Sequence, residues 1–277
     1  MSLDLALLRS LPERRLETRL RSPRGVREYG FRGALLYDYA VAAGLVGDGP
    51  SANQYFRATA ADGFVVAVAM AEVAPGFSDK QVLLAYEQDG EAIRAGLRLV
   101  VPGDDLGGRS VFGLASIELC AIDSPALSSA PPSSSMTVSG EVQRAATHGM
   151  QSLAQRAQTE VTPVPSKGHG DLMRPERRFA GVAVWSLLED AGLVLDPAIN
   201  EHVLRKVVAA RDSEGYGVVI AAGEVEPRFQ NAPFIVASRD DAGDLAGSDG
   251  GLRLIPPFDL AGARHVKGIA SLEVRDA

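Results

Sequence analysis

The chain alternates between apolar runs of strand length and short turn signals. The run "DGFVVAVAM" (62–70) begins at a turn dipeptide and is rich in Val, which predicts a strand. The stretch "QVLLAYEQDGEAI" (81–93) predicts a strand, an Asp-Gly turn and a returning strand. Further along, "LRLVVP" (97–102) and "VFGLASIEL" (111–119) also have the pattern of strands, with "GDDLGG" turning between them. Strands are therefore expected to outnumber helices.

Helical spacing occurs in two places in the first half of the chain. In "FRGALLYDYAVAAGL" (Phe31–Leu45) apolar residues recur at helical intervals up to Gly44, a typical residue at a helix C-terminus. The opening "LDLALLRSLPERRLET" (3–18) predicts another helix. The second half opens differently, with "MTVSGEV" (136–142), a predicted strand and turn followed by a short helix. The first half has no counterpart to this segment. Either its strand was removed, or another segment completes the sheet.

Three blocks of the chain occur twice, in the same order and about 150 residues apart. Leu97–Leu119 and Leu252–Val274 are identical at 12 of 23 positions without a gap. Phe31–Leu45 returns as Phe179–Leu193, and Ala61–Phe77 returns around Ser213–Phe229. This period is too long for a solenoid repeat and predicts a tandem duplication of a whole domain. A Ser/Pro-rich stretch separates the copies, giving domains at 1–123 and 136–277 with a linker at 124–135.

Composition narrows the class of protein. With 46% hydrophobic and 23% charged residues, the 277-residue chain is expected to be globular and soluble. A net charge of −7 argues against a nucleic-acid partner, and the absence of an apolar run of 18 residues argues against a membrane partner. The single cysteine excludes an internal disulfide. The N-terminus lacks a signal-peptide pattern, so we expect a cytoplasmic protein, or a periplasmic one if a leader was removed. The preference for Arg over Lys is typical of a GC-rich bacterial genome.

The ordered blocks resemble the molybdopterin-binding domain of the sulfite oxidase family of oxidoreductases. The resemblance rests on "TVSGEV", the Phe-x-Gly block, "GEVEP" and the repeated closing block, and it covers roughly 3–122 and 136–277. It implies an α+β, β-rich sulfite-oxidase-like fold in two tandem related domains. In that family the domain holds molybdenum through a pterin dithiolene, so the resemblance implies molybdopterin, the molybdenum cofactor.

The family's molybdenum-ligating cysteine has no counterpart here. It lies in the segment before the Phe-x-Gly block, and neither "ETRLRSPRGVREYGF" (17–31) nor "EVTPVPSKGHGDLMRPERRF" (160–179) contains a cysteine. Cys120 stands at the end of a predicted strand, where a small buried side chain is the ordinary interpretation. No residue is therefore assigned as a metal ligand or as catalytic.

The resemblance also implies a site for the pterin phosphate. Arg264, His265 and Lys267 match the family's basic pattern, whereas the first copy keeps Arg109 but has Phe112 in place of the lysine. An additional candidate set lies on a long loop, where basic neighbours flank a histidine: Lys167, His169 and Arg174. As alternatives, each arginine pairs with the aspartate five residues before it and fixes the turn, and the loop residues are simply solvated.

Two functions remain open from the sequence. The first is a molybdopterin-binding protein of the oxidoreductase family that lacks the usual cysteine, with a pterin or another small anion as ligand. The alternative is a cofactor-free tandem scaffold or binding module whose halves pack as a pseudo-dimer. Glu72 and Glu224 occur at equivalent positions, which suggests turn capping, or less readily an acid–base pair. Motifs for serine hydrolases, nucleotide triphosphatases and NAD dehydrogenases are absent.

Overall fold

The computed structural model describes residues 3–22, 25–123, 134–164, 177–245, 251–260, 262 and 264–277. The elements of the first half are α1 (Leu5–Ser10), β1 (Arg14–Ser22), β2 (Gly25–Leu35), α2 (Leu36–Ala42), β3 (Gln54–Ala60), β4 (Val65–Ala69), α3 (Met70–Val73), β5 (Leu83–Gln88), β6 (Glu91–Ala92), β7 (Arg98–Val100) and β8 (Leu114–Ala121). Those of the second half are β9 (Ser135–Gly140), β10 (Ala146–Gly149), α4 (Met150–Ala154), β11 (Thr159–Val161), β12 (Phe179–Ala183), α5 (Val184–Ala191), β13 (Lys206–Asp212), β14 (Gly217–Ala221), α6 (Ala222–Val225), β15 (Ile235–Asp240), β16 (Gly243–Asp244), β17 (Arg253–Ile255), β18 (Val266–Lys267) and β19 (Ile269–Asp276).

The strands form four sheets, two from each half. The first half contributes β1-β2-β5-β6, with β7 beside β5, and the three-stranded sheet β4-β3-β8. The second contributes β11-β12-β15-β17-β18, with β16 beside β15, and β10-β9-β19-β13-β14. In the last sheet β9 pairs in parallel with β19 and antiparallel with β10. β9 and β10 are therefore the two strands that this sheet has in addition to the three of its counterpart in the first half. Strands hold 43% of the residues and helices 17%, so the expected excess of strand is confirmed.

The expected fold class was wrong. The four sheets adopt a propeller-like arrangement of four blades, and they do not form a clear sulfite-oxidase-like fold in two tandem domains. The physical reason is visible in β4 and β14, whose residues are all buried. A strand buried on both faces needs a second sheet against it. Here that sheet comes from the other half of the chain.

The two halves share their hydrophobic core. One small cluster combines Tyr55, Ala67 and Ala69 of the first half with Val207 and Val219 of the second. The largest cluster likewise runs through both halves. The boundaries predicted at 1–123 and 136–277, and the duplication itself, stay predictions, and residues 124–133 of the linker lie outside the described residues.

Most predicted strands are present, and the errors lie near the N-terminus. β4, β7, β8 and β9 lie where strands were predicted, and β5 and β6 form the predicted hairpin. However, residues 14–22 form β1, although a helix was predicted to cover the first part of them. The Phe-x-Gly block begins as strand, and its helix α2 starts only at Leu36. Pro12 explains the first error, because a helix cannot continue through its ring.

The Phe-x-Gly motif marks a close backbone crossing in both halves. Each glycine lies at a register shift where β2 meets β5 or β12 meets β15. A Cβ at Gly33 would stand 2.1 Å from the carbonyl oxygen of Leu84, and one at Gly181 would stand 2.1 Å from that of Val236. Only glycine fits at these positions, because the obstructing atoms belong to backbone.

Replacing Gly181 by alanine is therefore expected to lower the free energy of unfolding by at least about 3 kcal/mol, the upper range for overpacking. Urea denaturation followed by circular dichroism measures the loss. Gly47→Ala is the matched control, because a Cβ at Gly47 would meet nothing within 4 Å. Equal effects of the two substitutions would contradict this account of the motif.

Candidate functional site

Arg264, a predicted phosphate ligand, lies buried in a network of acidic side chains. Its Nε and Nη2 donate to the two carboxylate oxygens of Asp259, both at 2.7 Å. Its Nη1 donates to both oxygens of Glu224 at 3.0 and 2.9 Å. Nη2 also donates to the hydroxyl of Ser78 at 3.2 Å, and the guanidinium lies 4.9 Å from the ring centre of Phe234. Every nitrogen of the group therefore has an acceptor.

Arg109 has the corresponding network in the first half. Its Nε and Nη2 donate to Asp104, both at 2.6 Å, and its Nη1 donates to both oxygens of Glu72 at 2.9 and 3.0 Å. Nη2 also donates to the amide oxygen of Gln230 at 3.0 Å. Here Glu72 has a second cation, because the ammonium of Lys80 lies 3.0 Å from it. Both Arg–Asp pairs that the sequence left open as an alternative are thus present.

These groups form one buried cluster, which we call the arginine core. Its members are Glu72, Asp104, Arg109, Glu224, Asp259 and Arg264.

Each half supplies a hydrogen-bond partner to the arginine of the other half. Ser78 belongs to the first half but accepts a hydrogen bond from Arg264, and it donates to Asp259 at 2.7 Å. Gln230 belongs to the second half but accepts from Arg109. Both residues directly follow a phenylalanine in the repeated block. The arginine core therefore ties the two halves together.

Backbone hydrogen bonds repeat this exchange beside the arginine core. The N–H of Leu260 donates to the carbonyl of Phe77 at 3.2 Å, and the N–H of Asp105 donates to the carbonyl of Phe229 at 3.0 Å. These pairs occupy equivalent positions in the two halves. The contact between the halves is therefore pseudosymmetric as well as buried.

Charge pairing offsets the cost of burying these groups. Burial by itself lowers the pKa of Arg109 and Arg264, but their carboxylate neighbours raise it above the usual value. Burial raises the pKa of Glu72, yet Arg109 and Lys80 outweigh it and hold the pKa below its usual range. For Glu224 burial prevails: with the negative charge of Glu72 it raises the pKa against the effect of Arg264. The arginines thus stay charged, as a buried ion-pair network requires.

The arginine core does not fit a phosphate. A guanidinium has five N–H donors, and both arginines already direct theirs at two carboxylates and a neutral oxygen. An incoming anion would also meet the negative charges that hold these arginines in place. The prediction that Arg109 and Arg264 bind a cofactor is untested by direct observation, but this geometry does not favour it.

The predicted ligands Lys267 and His265 are not members of the arginine core. Lys267 is exposed on β18, opposite Arg253 of β17. His265 is half-buried, and its backbone N–H donates to the carbonyl of Gly262. His169 lies outside the described residues, with Lys167 and Arg174. Cofactor binding by these residues stays a prediction.

In the first half, the segment expected to contain a molybdenum-ligating cysteine is mostly strand. Residues 17–31, where the family's cysteine would lie in the first half, belong to β1 and β2 except for the undescribed 23–24. Cys120 lies half-buried on β8, and burial and the charge of Glu118 raise the pKa of its thiol. Among the residues that the structure describes, no group of three His, Cys, Asp or Glu side chains could hold a metal ion.

Glu72 and Glu224 have a larger structural role than the sequence suggested. Glu224 does accept a hydrogen bond from the N–H of Ala221 at 3.0 Å, as predicted for turn capping. Its larger role, and that of Glu72, is to pair with an arginine. The occurrence of both glutamates in repeated blocks was the available signal, but their arginine partners are 37 and 40 positions away.

A second polar cluster went unnoticed in the sequence. The ammonium of Lys206 is fully buried between the carboxylates of Glu141 and Asp276. His202 accepts a hydrogen bond at Nδ1 from the N–H of Asp196 at 2.7 Å, and its Nε2 faces Asp276 at 3.2 Å. This cluster binds the turn after β9 to β13 and β19. It stabilises the strand that the first half lacks.

Comparisons with known proteins add little to the site. No protein-family model matches the chain, and no curated protein does. Among solved structures, the sulfane dehydrogenase SoxCD from Paracoccus pantotrophus is similar over 57% of this chain, with 16% sequence identity and a TM-score of 0.42. The chain spans 42% of the length of that protein. No helix in the described part of the chain has the length and apolarity needed to cross a membrane.

Proposed function

We propose that this protein is a binding module in which the two halves act as one scaffold without redox activity. The observation that carries the proposal is the arginine core. The two arginines expected to hold a cofactor phosphate instead join the halves, with side chains that are at most 1% exposed. Their role in the molecule is to fix its shape.

The cysteine content supports the same proposal. Molybdenum is a redox centre that a soft thiolate ligand suits. The chain has one cysteine, Cys120, which lies on β8 and is not a member of the arginine core. The residues present therefore do not fit the family's molybdenum site.

The composition of protein made in a host that synthesises molybdenum cofactor tests the proposal. Elemental mass spectrometry measures molybdenum, and fluorescence after oxidation measures pterin. We expect neither to exceed the background of an unrelated protein purified in parallel. Stoichiometric molybdenum and pterin in folded protein would overturn the proposal.

A second candidate function is binding of a pterin or another small anion without redox chemistry. It is favoured by Lys267, an exposed cation two residues after the half-buried His265. If pterin is found without molybdenum, Lys267→Ala is expected to lower its content while leaving the fold intact, because an exposed lysine contributes little to stability. Pterin content unchanged by this substitution would reject Lys267 as the ligand.

A further inference from the structure

The strands β1 and β2 extend beyond their sheet as a two-stranded ribbon. β5 covers β2 only from Phe31 to Leu35, and Gly30 forms hydrogen bonds with Asp89, so residues 25–29 of β2 pair with β1 alone. The equivalent strands of the second half, β11 and β12, pair over three residues, against nine for β1 and β2. Among the described residues, this longer ribbon is therefore a feature of the first half.

The outer edge of β1 has backbone groups available for another strand. The N–H of Arg21 donates to the carbonyl of Asp105 at 3.2 Å and hence does not point to β2. Because backbone groups alternate in direction along a strand, those of Arg19, Glu17 and Arg15 point to the same side. In the described part of the chain β1 pairs along this edge only at Arg21, in a bridge to Leu106. An open edge is a template for strand addition.

The ribbon is basic although the protein is acidic. Residues 13–32 contain seven arginines and three glutamates, whereas the whole chain has a net charge of −7. The side chains of Arg15 and Arg19 are 75% and 76% exposed, and each already lies near one surface glutamate: Glu13 is 3.8 Å from Arg15, and Glu28 is 2.6 Å from Arg19. Exposed pairs of this kind contribute little, so a partner's carboxylate can join or replace them. Guanidinium groups pair with carboxylates in a fixed, two-pronged geometry, and such surface charge attracts acidic partners.

Asp105 shows within the molecule how an acidic segment binds this edge. Its carbonyl accepts the hydrogen bond from Arg21, and its carboxylate lies 3.1 Å from Nε of the same arginine. The bridge beside it, between Arg21 and Leu106, is parallel. One acidic residue therefore already combines a backbone hydrogen bond with an ion pair at the end of the open edge.

We propose that the edge of β1 from Arg15 to Arg19 binds an extended acidic segment of a partner protein by strand addition. Backbone hydrogen bonds would hold the segment, and its carboxylates would pair with Arg15 and Arg19 as Asp105 does with Arg21. A second copy of this chain fits less well, because antiparallel pairing of two β1 edges centred on Glu17 opposes arginine to arginine. The inference rests on the proposed function as a binding module and names its partner.

A pair of substitutions at Glu17 separates strand addition from simple charge attraction. Glu17→Pro removes one outward N–H but leaves the hydrogen bonds to β2, since proline is tolerated at a strand edge. Glu17→Ala removes the same negative charge and keeps the N–H. The probe is a fluorescent peptide of alternating Asp and Val, followed by anisotropy. We expect Glu17→Ala to bind it at least as tightly as the unmodified protein, and Glu17→Pro to bind at least about tenfold more weakly.

Three results would overturn the inference. They are equal binding by the two Glu17 variants with unchanged circular dichroism, no binding of the peptide by the unmodified protein, and tighter binding of duplex DNA than of the peptide. The double variant Arg15→Glu, Arg19→Glu provides the charge control and is expected to lose binding. Molybdenum and pterin content of the same preparation reports on the proposed function separately, because it does not depend on the peptide.

Discussion

Replacing Arg264 by methionine is expected to lower the free energy of unfolding by about 3–5 kcal/mol, the range for breaking a buried ion pair. Methionine fills much of the same volume but leaves Glu224 and Asp259 buried without their cation. The hydrogen bonds from Ser78 to Asp259 and from the N–H of Ala221 to Glu224 remain, but they offset only part of the cost of burying two carboxylates without a cation. Urea denaturation, monitored by circular dichroism and tryptophan fluorescence, measures the change.

Two further variants identify the cause of that loss. Arg178 forms ion pairs at the surface, where its side chain is 59% exposed, so Arg178→Ala should change stability by no more than about 1 kcal/mol. Adding Glu224→Gln and Asp259→Asn to Arg264→Met removes the buried charges and should restore part of the stability. A loss below about 1 kcal/mol for Arg264→Met would show that the arginine core is not a structural element.

Gly223→Ala is expected to lower the free energy of unfolding by about 3 kcal/mol, because it forces an overpacked core. A Cβ at Gly223 would lie 2.4 Å from Cδ of Arg109 and 3.2 Å from a methyl group of Leu204. The arginine cannot move aside without breaking its hydrogen bonds to Glu72 and Asp104. Thermal and urea unfolding measure the effect.

A double-mutant cycle tests this explanation. In an Arg109→Met background the neighbouring side chain is free to move, so Gly223→Ala should cost less there than in the unmodified protein. Residues in contact typically couple by about 0.5–3 kcal/mol. Additive effects of the two substitutions would contradict a clash between Gly223 and Arg109.

The arginine core was predictable from the sequence only where its contacts are local. Arg109 and Arg264 each lie five residues after an aspartate in a turn, and that spacing suggested the observed pairs. By contrast, Ser78 and Gln230 are different residue types at equivalent positions, so repetition drew no attention to them. Contacts between distant segments depend on how the sheets pack. The hydrophobic periodicity of a single sequence predicts local elements but not this packing.

The ribbon shows a different kind of error. A helix was predicted through residue 18, and Arg, Glu and Leu do favour helices. Yet Leu16, Thr18 and Leu20 alternate with charged residues, and their more buried positions follow this period of two. Here the alternation was the better guide, because burial of one face stabilises a strand more than intrinsic propensity opposes it. The prediction of the fold class was wrong for a related reason. A continuous apolar run such as that of β4 indicates a strand buried on both faces, but it does not indicate which segments cover those faces.

The exchange of Ser78 and Gln230 between the halves has a consequence for how the chain folds. The hydrogen bonds involved join residues 186 and 121 positions apart in the chain. Contacts between such distant positions slow folding, because a long loop must close before they form. During synthesis the first half emerges well before its partner, with the apolar faces of β4 still uncovered. We therefore expect a folding rate limited by the meeting of the halves, and a nascent chain that depends on chaperones until the second half is complete.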